Sequence, residues 1–360
     1  MIEYGIFDYL TDPDVEAEVL GADASVRCFA CTDEDALPDE IGTLTAAMLW
    51  HNVTITGRTL ERLRSCRAVV RVGVGFDNID YAAAGALGIP VVNVPDYGTN
   101  DVADHAFGLL LTMCRKLHVY NEAIRGDPVG AWEPGAAGEV RRLTGTTLGL
   151  VGLGRIGAAV ALRAKAFGMR VAFYDPYLPD GYDKTFQVRR CDSLESLVEA
   201  SDYLSVHAPL TEETRGMIGY ELLRRCKPGM TLVNTARGGI VVLDAVHEVL
   251  VSGRLRAFAA DVLEREPPDP AHPLLAAYAA REAWLDGRVF LTPHAAFYAE
   301  ESRRELRVKA AQRMLQAARG EPLRNCINTA YLVRPRTPVA GFAGAYAANA
   351  TAAAATATEF

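Results

Sequence analysis

The sequence predicts an α/β protein built from two doubly wound parallel sheets, and three observations support this fold class. Short apolar runs alternate with helical stretches along most of the 360 residues, a pattern typical of parallel sheets covered by helices on both faces. The alternation falls into two blocks, one before residue 100 and one starting near residue 146. The chain is also longer than the ~100–200 residues usual for one domain.

The first block contains five short apolar runs that we interpret as strands. They are Ile2–Phe7, Val26–Phe29, Ala46–Leu49, Val69–Val72 and Pro90–Val94. Between them lie helical stretches such as Thr59–Ser65, where Leu60 and Leu63 recur at helical spacing. After this block, residues 101–120 predict one long helix, because their apolar side chains return at steps of three and four.

The second block contains six further candidate strands, which with their intervening helices match a doubly wound sheet. They are Leu148–Val151, Val171–Tyr174, Tyr203–Val206, Thr231–Asn234, Ala257–Asp261 and Val289–Leu291. Residues 300–319 predict a last helix that returns to the first domain. The Ala- and Thr-rich residues 336–360 lack an amphipathic stripe, so we expect a disordered tail there.

Composition and charge exclude several classes of function. The formal net charge is −8 and no basic stripe is present, which argues against direct nucleic-acid binding. The sequence contains no apolar run of about 18 residues, which is the length that would indicate a membrane span. The seven cysteines show a single C-x-x-C, at Cys28 and Cys31, and the histidines and acidic residues follow no metal-ligand spacing. We therefore expect free thiols, no metal site and a cytoplasmic location.

The strongest local motif is a glycine loop between the first strand and the first helix of the second block. It reads Gly152-Leu153-Gly154-Arg155-Ile156-Gly157. In this context the first glycine allows a tight turn, the second lets a pyrophosphate approach the backbone, and the third lets helix pack on strand. The helix N-terminus that follows offers unpaired N–H groups to phosphates. The loop therefore predicts a dinucleotide site.

Asp175 favours NAD as the dinucleotide. It ends the next strand, 18 residues after Gly157, where this fold places the ligand of the ribose hydroxyls. A carboxylate accepts hydrogen bonds from both hydroxyls but repels a 2′-phosphate. The residues that follow, Pro176 and Tyr177, offer no arginine that could bind such a phosphate.

Three further stretches follow candidate strands, at the edge where open α/β sheets bind ligands. They are residues 233–239 with Arg237, residues 261–267 with two glutamates, and residues 292–296 with His294. Hydride transfer needs a proton donor for the substrate oxygen and a cation for a substrate carboxylate. A histidine and a bidentate arginine supply these functions, and a carboxylate on the second histidine nitrogen would keep the ring protonated.

These motifs resemble the D-isomer-specific 2-hydroxyacid dehydrogenase family, from about residue 2 to residue 328. Besides the glycine loop, the resemblance rests on GVGFDNID (73–80), HAPLTEETRGMI (207–218), NTARGG (234–239), DVLEREP (261–267) and PHAA (293–296). Within the family, YDPYL (174–178), PHAAFYAEES (293–302) and LRNCIN (323–328) are most similar to the C-terminal-binding-protein branch.

The resemblance implies a domain plan. A flavodoxin-like substrate domain would comprise residues 1–100 and 298–335, and a Rossmann NAD domain residues 101–297, with a cleft between them. The family usually forms dimers through its nucleotide-binding domains, so a homodimer is implied by analogy.

The resemblance also implies roles for individual residues. Arg237 would hold the substrate carboxylate and carbonyl, His294 would donate the proton, and Glu266 would be its carboxylate partner. Glu264 is the alternative partner, but it lies three residues after Asp261, whereas the family's glutamate lies five after and directly before proline. The implied cofactor contacts outside the glycine loop and Asp175 are Thr99, Pro209, Thr214, Thr235, Ala236 and Asp261.

The implied substrate contacts besides Arg237 are Val74, Gly75, Arg71 and Phe297. The first two would offer backbone N–H groups to the carboxylate. Arg71 matches an arginine that the branch places at the far end of the substrate, which indicates a second polar or anionic group or a longer tail; it can also be an ordinary strand-end arginine. Phe297 stands where the branch carries tryptophan, so substrate preference does not transfer directly.

We hypothesise that the protein uses NADH to reduce a 2-oxo acid to the (R)-2-hydroxy acid. One alternative, motivated by the C-terminal-binding-protein branch, is a scaffold or corepressor-like protein that senses NAD(H) and has little turnover. Another is a reductase of a phosphonate or phosphorylated 2-oxo acid in a biosynthetic pathway.

Overall fold

The computed structural model describes residues 1–342 of the chain. Its strands are β1 (Ile2–Ile6), β2 (Ala24–Cys28), β3 (Ala46–Leu49), β4 (Val69–Arg71), β5 (Val91–Asn93), β6 (Thr147–Val151), β7 (Arg170–Tyr174), β8 (Arg189–Arg190), β9 (Tyr203–Val206), β10 (Met230–Asn234), β11 (Leu255–Ala260) and β12 (Val289–Leu291). Its helices are α1 (Asp14–Leu20), α2 (Gly57–Arg62), α3 (Tyr81–Ala86), α4 (Thr99–Arg115), α5 (Leu117–Gly126), α6 (Arg155–Ala166), α7 (Tyr182–Phe186), α8 (Leu194–Ala200), α9 (Tyr220–Leu223), α10 (Leu243–Val251), α11 (Pro273–Ala279) and α12 (Glu300–Arg319).

The chain divides into two compact units. Unit 1 comprises Met1–Tyr97 and the segment that begins at Ala299, and unit 2 comprises Gly98–Tyr298. Each unit contains one sheet, and every pair of neighbouring strands in both sheets is parallel. The predicted fold class is therefore confirmed.

The sheet of unit 1 has the strand order β2-β1-β3-β4-β5. Helix α12 packs against α1, β3 and β4 through Leu306, Ala310 and Met314, which recur every four residues and are buried. Its Arg307 donates to the fully buried Glu16 of α1, with Nε 2.8 Å from Oε1. This pair ties the last helix to the first.

The sheet of unit 2 has the order β12-β11-β10-β9-β6-β7-β8. The chain first builds outward from β6 through β7 to β8, then returns to the other side of β6 with β9. The strand order therefore reverses at β6, and the carboxyl ends of strands at such a switch point form the usual ligand site of a doubly wound sheet. The two-residue edge strand β8 was not predicted.

Two parts of the chain differ from the sequence prediction. The single helix expected over residues 101–120 is two helices, α4 and α5, separated at Lys116, whose φ is +52°. The Lys116 ammonium donates to the carbonyl of Ala137 at 2.7 Å, a contact made by a distant loop. Lysine favours helix on its own, so the sequence gives no sign of this break.

The predicted tail also differs at its start. Thr337 is fully buried, and residue 339 forms a parallel bridge with Leu323, so residues 336–342 pack on unit 1. The rest of the predicted tail, residues 343–360, lies outside the described residues. In the part of the chain that is described, no helix is long and apolar enough to cross a membrane.

Candidate active site

The glycine loop begins where β6 ends. Gly152 has a φ of +92°, and a Cβ built there would lie 3.1 Å from the amide nitrogen of Ala208. A Cβ on Gly157 would lie 2.3 Å from the carbonyl oxygen of Gly152. A Cβ on Gly154, in contrast, would meet no atom within 4 Å. Packing therefore requires glycine at positions 152 and 157, whereas Gly154 leaves open space at the N-terminus of α6.

Asp175 lies beside this loop, at the carboxyl end of β7. Its Oδ2 accepts a hydrogen bond from the Leu153 amide at 3.0 Å, and its Oδ1 accepts one from the Tyr177 amide at 3.1 Å. The carboxylate is half-buried. Two backbone donors thus fix a negative charge next to the glycine loop.

The remaining predicted cofactor residues of unit 2 lie at the following strand ends. The Thr214 hydroxyl donates to the carbonyl of Pro209 at 2.6 Å and closes the turn after β9. After β10, the Ala236 amide donates to Asn234 Oδ1 at 3.0 Å. The Thr235 hydroxyl is buried and makes no hydrogen bond to any described residue.

Arg155 and Ile156 open α6, with Arg155 exposed, and Thr99 is the first residue of α4. These positions fit a dinucleotide. A buried hydroxyl without a protein partner can bind a polar ligand, and the open amide end of α6 suits phosphate groups.

Arg237 follows the buried strand β10. Its carbonyl accepts a hydrogen bond from Asn234 Nδ2 at 3.0 Å, and its own Nη1 donates to the Ala236 carbonyl at 2.9 Å. The side chain is half-buried. At Gly238 a Cβ would lie 1.8 Å from the carbonyl carbon of Leu263. The arginine loop and the loop after β11 therefore touch backbone to backbone.

His294 and Glu266 form a close side-chain pair. His294 Nδ1 lies 2.6 Å from Glu266 Oε2, and Glu266 Oε1 accepts from the Leu263 amide at 3.0 Å. Burial, the largest single effect, raises the pKa of Glu266, whereas the hydrogen bond and charge of His294 and the hydrogen bond from the Leu263 amide lower it. The charge of Arg237 lowers the pKa of Glu266 further, so the carboxyl is held below its ordinary range.

Glu264 takes a different position. Its Oε2 accepts from the amide of Leu243, the first residue of α10, at 3.3 Å. It therefore supports a helix N-terminus, while Glu266 contacts the histidine.

Asp261 holds the histidine loop in place. It is only 2% exposed, and its Oδ1 accepts from the Thr292 hydroxyl at 2.5 Å and from the Ala295 amide at 2.8 Å. Its Oδ2 accepts from the Ala296 amide at 2.9 Å. The predicted contact of Asp261 with the cofactor stays a prediction, and the observed contacts give it a structural task as well.

Two neighbours, Phe297 and His105, complete this end of unit 2. The ring of Phe297 lies edge-on to that of His294, with centroids 6.1 Å apart and planes at 85°. His105 of α4 reaches Thr292, with Nε2 3.0 Å from Oγ1. Sequence reasoning left His105 out because it belongs to no motif; its position on the predicted helix before the glycine loop was the only available signal.

The predicted substrate residues of unit 1 lie at the carboxyl edge of its sheet. Arg71 is 5% exposed, and its Nη1 donates to the carbonyl of Val72. The Val74 carbonyl accepts from Asn93 Nδ2 at 2.7 Å, which fixes the loop that also contains Gly75.

Two aromatic residues at the same edge were missed by sequence reasoning. Tyr9 and Trp50 follow the adjacent strands β1 and β3, and their ring centroids lie 5.5 Å apart. Both come just after a predicted strand, which is the signal that would have found them.

The strand ends of unit 2 thus combine an open glycine loop at a helix N-terminus with a cation and a histidine–carboxylate pair. Such groups suit hydride transfer to a carbonyl next to a carboxylate, so fold and site define a nucleotide-dependent oxidoreductase class.

Comparisons with known proteins narrow this class. Residues 107–296 match the NAD binding domain of the D-isomer specific 2-hydroxyacid dehydrogenase family. The chain belongs to this family of NAD-dependent dehydrogenases, which confirms both the resemblance and the NAD cofactor.

Three relatives illustrate the range of the family. C-terminal-binding protein 1 of Caenorhabditis elegans is 32% identical over 338 residues, covering 91% of this chain and 45% of that protein. D-3-phosphoglycerate dehydrogenase of Methanocaldococcus jannaschii is 34% identical over 321 residues, covering 89% and 59%. The structure of D-lactate dehydrogenase from Aquifex aeolicus, complexed with NAD and lactic acid, has a TM-score of 0.76 at 28% identity, covering 88% of this chain and 96% of that one. The chain thus spans about half the length of the two curated relatives.

Proposed function

We propose that the protein reduces a 2-oxo acid to the (R)-2-hydroxy acid with NADH. The observation that carries the proposal is the 2.6 Å contact between His294 and Glu266, together with the charge of Arg237 acting on the same carboxylate. These residues follow the adjacent strands β10, β11 and β12. They supply a carboxylate-binding cation and a proton donor.

The reaction follows from these groups. The Arg237 guanidinium holds the substrate carboxylate and polarises the 2-oxo group. When bound, NADH supplies the hydride that forms the new C–H bond at C2. The developing alkoxide takes a proton from His294, and the Glu266 carboxylate stabilises the imidazolium beforehand. The ring then regains its proton from solvent.

We assign the nucleotide to the glycine loop and the following strand ends. Asp175 accepts hydrogen bonds from the ribose hydroxyls. Its negative charge, which is fixed next to the loop, repels a 2′-phosphate. The proposed ligands beyond it are Thr99, Pro209, Thr214, Thr235, Ala236 and Asp261. For the substrate, the proposed ligands are Arg71, Val74, Gly75 and Phe297.

Two relatives favour different second candidates. The 32% identity to a C-terminal-binding protein supports an NAD(H)-sensing scaffold with little turnover. The 34% identity to a D-3-phosphoglycerate dehydrogenase supports a phosphorylated substrate, whose second anionic group Arg71 would bind.

A panel of 2-oxo acids, with NADH absorbance as the readout, tests all three. The panel includes unbranched, aromatic, dicarboxylic and phosphorylated members. Consumption of NADH with any member supports the dehydrogenase, and the preferred member identifies the substrate class. Tight NADH binding without consumption across the whole panel would contradict the proposal and favour the scaffold.

We also propose a homodimer through unit 2. Helix α5 has no buried residue, although it is amphipathic, and the chain after it exposes Val129 at 86% and Trp132 at 79%. Apolar side chains this exposed are typical of an interface. Sedimentation analysis of the protein and of Trp132→Glu tests this: we expect a dimer that the substitution weakens. A wild-type monomer at micromolar concentration would contradict it.

A further inference from the structure

His105 connects a rigid helix to the loop that carries the proposed proton donor. Its Nε2 lies 3.0 Å from Thr292 Oγ1 and 3.6 Å from Asp261 Oδ1, and its side chain is 26% exposed. Helix α4 buries Ala103 and Ala106 on either side of it in the sequence. The histidine therefore projects from a fixed support.

The direction of each hydrogen bond follows from the proton count. A threonine hydroxyl has one proton, and Thr292 gives it to Asp261 Oδ1 at 2.5 Å. The Thr292 hydroxyl oxygen must then accept a hydrogen bond from His105, so the proton of the histidine lies on Nε2. The result is a directed chain from His105 through Thr292 to a carboxylate that is 2% exposed.

The carboxylate at the end of this chain holds a strained backbone. His294 has a φ of +53°, a conformation that residues with a Cβ adopt only when their surroundings enforce it. Asp261 enforces it from both sides, because its carbonyl accepts the His294 amide at 2.7 Å and its carboxylate accepts the Ala295 and Ala296 amides.

We propose that His105 is a positioning residue for His294. Its Nε2–H keeps the Thr292 hydroxyl pointed at Asp261, which in turn fixes the turn that aims the His294 ring. Without this donor, the Thr292 hydroxyl can rotate away and the buried carboxylate loses its shortest hydrogen bond. The assignment of His294 as proton donor, on which the catalytic consequence depends, rests on the proposed function.

His105→Leu and His105→Gln test the donor directly. Glutamine has an N–H donor near the position of Nε2, whereas leucine keeps apolar bulk without a donor. We expect His105→Leu to lower kcat about tenfold or more, because a proton donor misplaced by a fraction of an ångström loses its near-attack geometry. We expect His105→Gln to recover most of this loss.

Two readouts separate positioning from a general structural role. The solvent isotope effect on kcat should increase in His105→Leu, since proton transfer becomes more rate-limiting, while the Kd for NADH and the KM for the 2-oxo acid change less than about threefold. Thr292→Val should have a similar effect, and combining it with His105→Leu should add little. Additive losses, or equal activity in His105→Leu, would overturn the proposal.

A third measurement does not depend on turnover. Nitrogen NMR of histidine-labelled protein reads the tautomer of His105, which we expect to carry its proton on Nε2 in the wild type. A neutral ring protonated on Nδ1 would refute the hydrogen-bond chain. If NMR supports the hydrogen bond from His105 to Thr292 but no 2-oxo acid is reduced, the proposed function fails, while the positioning of the His294 loop by His105 stands.

Discussion

The glycine loop after β6 and the three loops after β10, β11 and β12 share one edge of the unit 2 sheet, yet they are built by opposite means. In the glycine loop, shape comes from missing side chains: a Cβ at position 157 would lie 2.3 Å from a carbonyl oxygen. In the three loops, polar side chains hold the backbone, namely the Asn234 carboxamide after β10 and two carboxylates after β11, although Gly238 also contributes by its missing side chain. Asp261 and Glu266 accept backbone amides as well as partner side chains.

This difference indicates how each region fails. We expect the glycine loop to be sensitive to added atoms, because the backbone N–H groups that we propose as phosphate ligands must stay accessible. The three other loops are sensitive to removed charges, because each carboxylate both shapes the loop and sets the charge at the site. Five substitutions test the comparison, from the largest expected effect to the smallest.

Arg237→Ala removes the only cation that we assign to the substrate carboxylate in unit 2. We expect kcat/KM for the 2-oxo acid to fall about a thousandfold, since a charged, bidentate contact is lost. NADH binding, measured by fluorescence titration, should stay within about twofold. Arg265→Ala, in the neighbouring loop and 77% exposed, serves as the control. Wild-type turnover in Arg237→Ala would refute its assignment.

Gly154→Ala and Gly157→Ala form a matched pair in the glycine loop. Both should weaken NADH binding about tenfold or more, but for different reasons. The new methyl at 157 forces the backbone apart, so the melting temperature should fall as well. At 154 the methyl meets open space, so the fold should stay intact while phosphate approach is blocked. Unchanged NADH affinity in Gly154→Ala would show that the phosphates lie elsewhere.

Glu266→Gln keeps the shape of the acid–base pair and removes its charge. We expect kcat at neutral pH to fall about tenfold, and the basic limb of the pH–rate profile to move to lower pH, because an amide stabilises the imidazolium less. The pKa of Glu266 is lowered in the folded protein, so the wild type also loses its stabilising contribution as pH falls through that pKa.

The variant should therefore lose less stability on acidification than the wild type. Glu264→Gln is the matched control, since Glu264 contacts the start of α10 instead. An equal shift of the pH profile in both variants would show that the effect is not specific to the histidine partner.

Asp175→Asn tests the cofactor preference. The amide keeps an acceptor for the Leu153 amide but removes the negative charge, so the preference for NADH over NADPH should shrink about tenfold. Asp180→Asn, an exposed change on the same segment, should leave the preference unchanged. The ratio of kcat/KM for the two cofactors measures both, and an unaltered ratio in Asp175→Asn would place the discrimination on another group.

The sequence predicts every strand of the two sheets except β8, because each of the others is a short apolar run bounded by polar residues. It misses what depends on distant contacts. The helix breaks at Lys116, whose ammonium donates to a loop carbonyl 21 residues away, and residues 336–342 include Thr337, which is buried against unit 1.

For the site, spacing and resemblance select Glu266 over Glu264, and the geometry separates the two residues in the same way. The contact of His105 with Thr292 was not foreseen, because 187 residues separate them and only the packing of α4 brings them together. Polar pairs of this kind follow from the fold and leave no local pattern in the chain.

The absence of a side chain at position 238 has a consequence for engineering. With a Cβ only 1.8 Å from the Leu263 carbonyl carbon, no residue other than glycine can stand there unless the opposite segment retreats. The loop with Arg237 and the loop with Glu266 are therefore packed so closely that neither can change its backbone without the other. Attempts to graft a new specificity onto this scaffold should exchange both together, as a single cassette with its glycine retained.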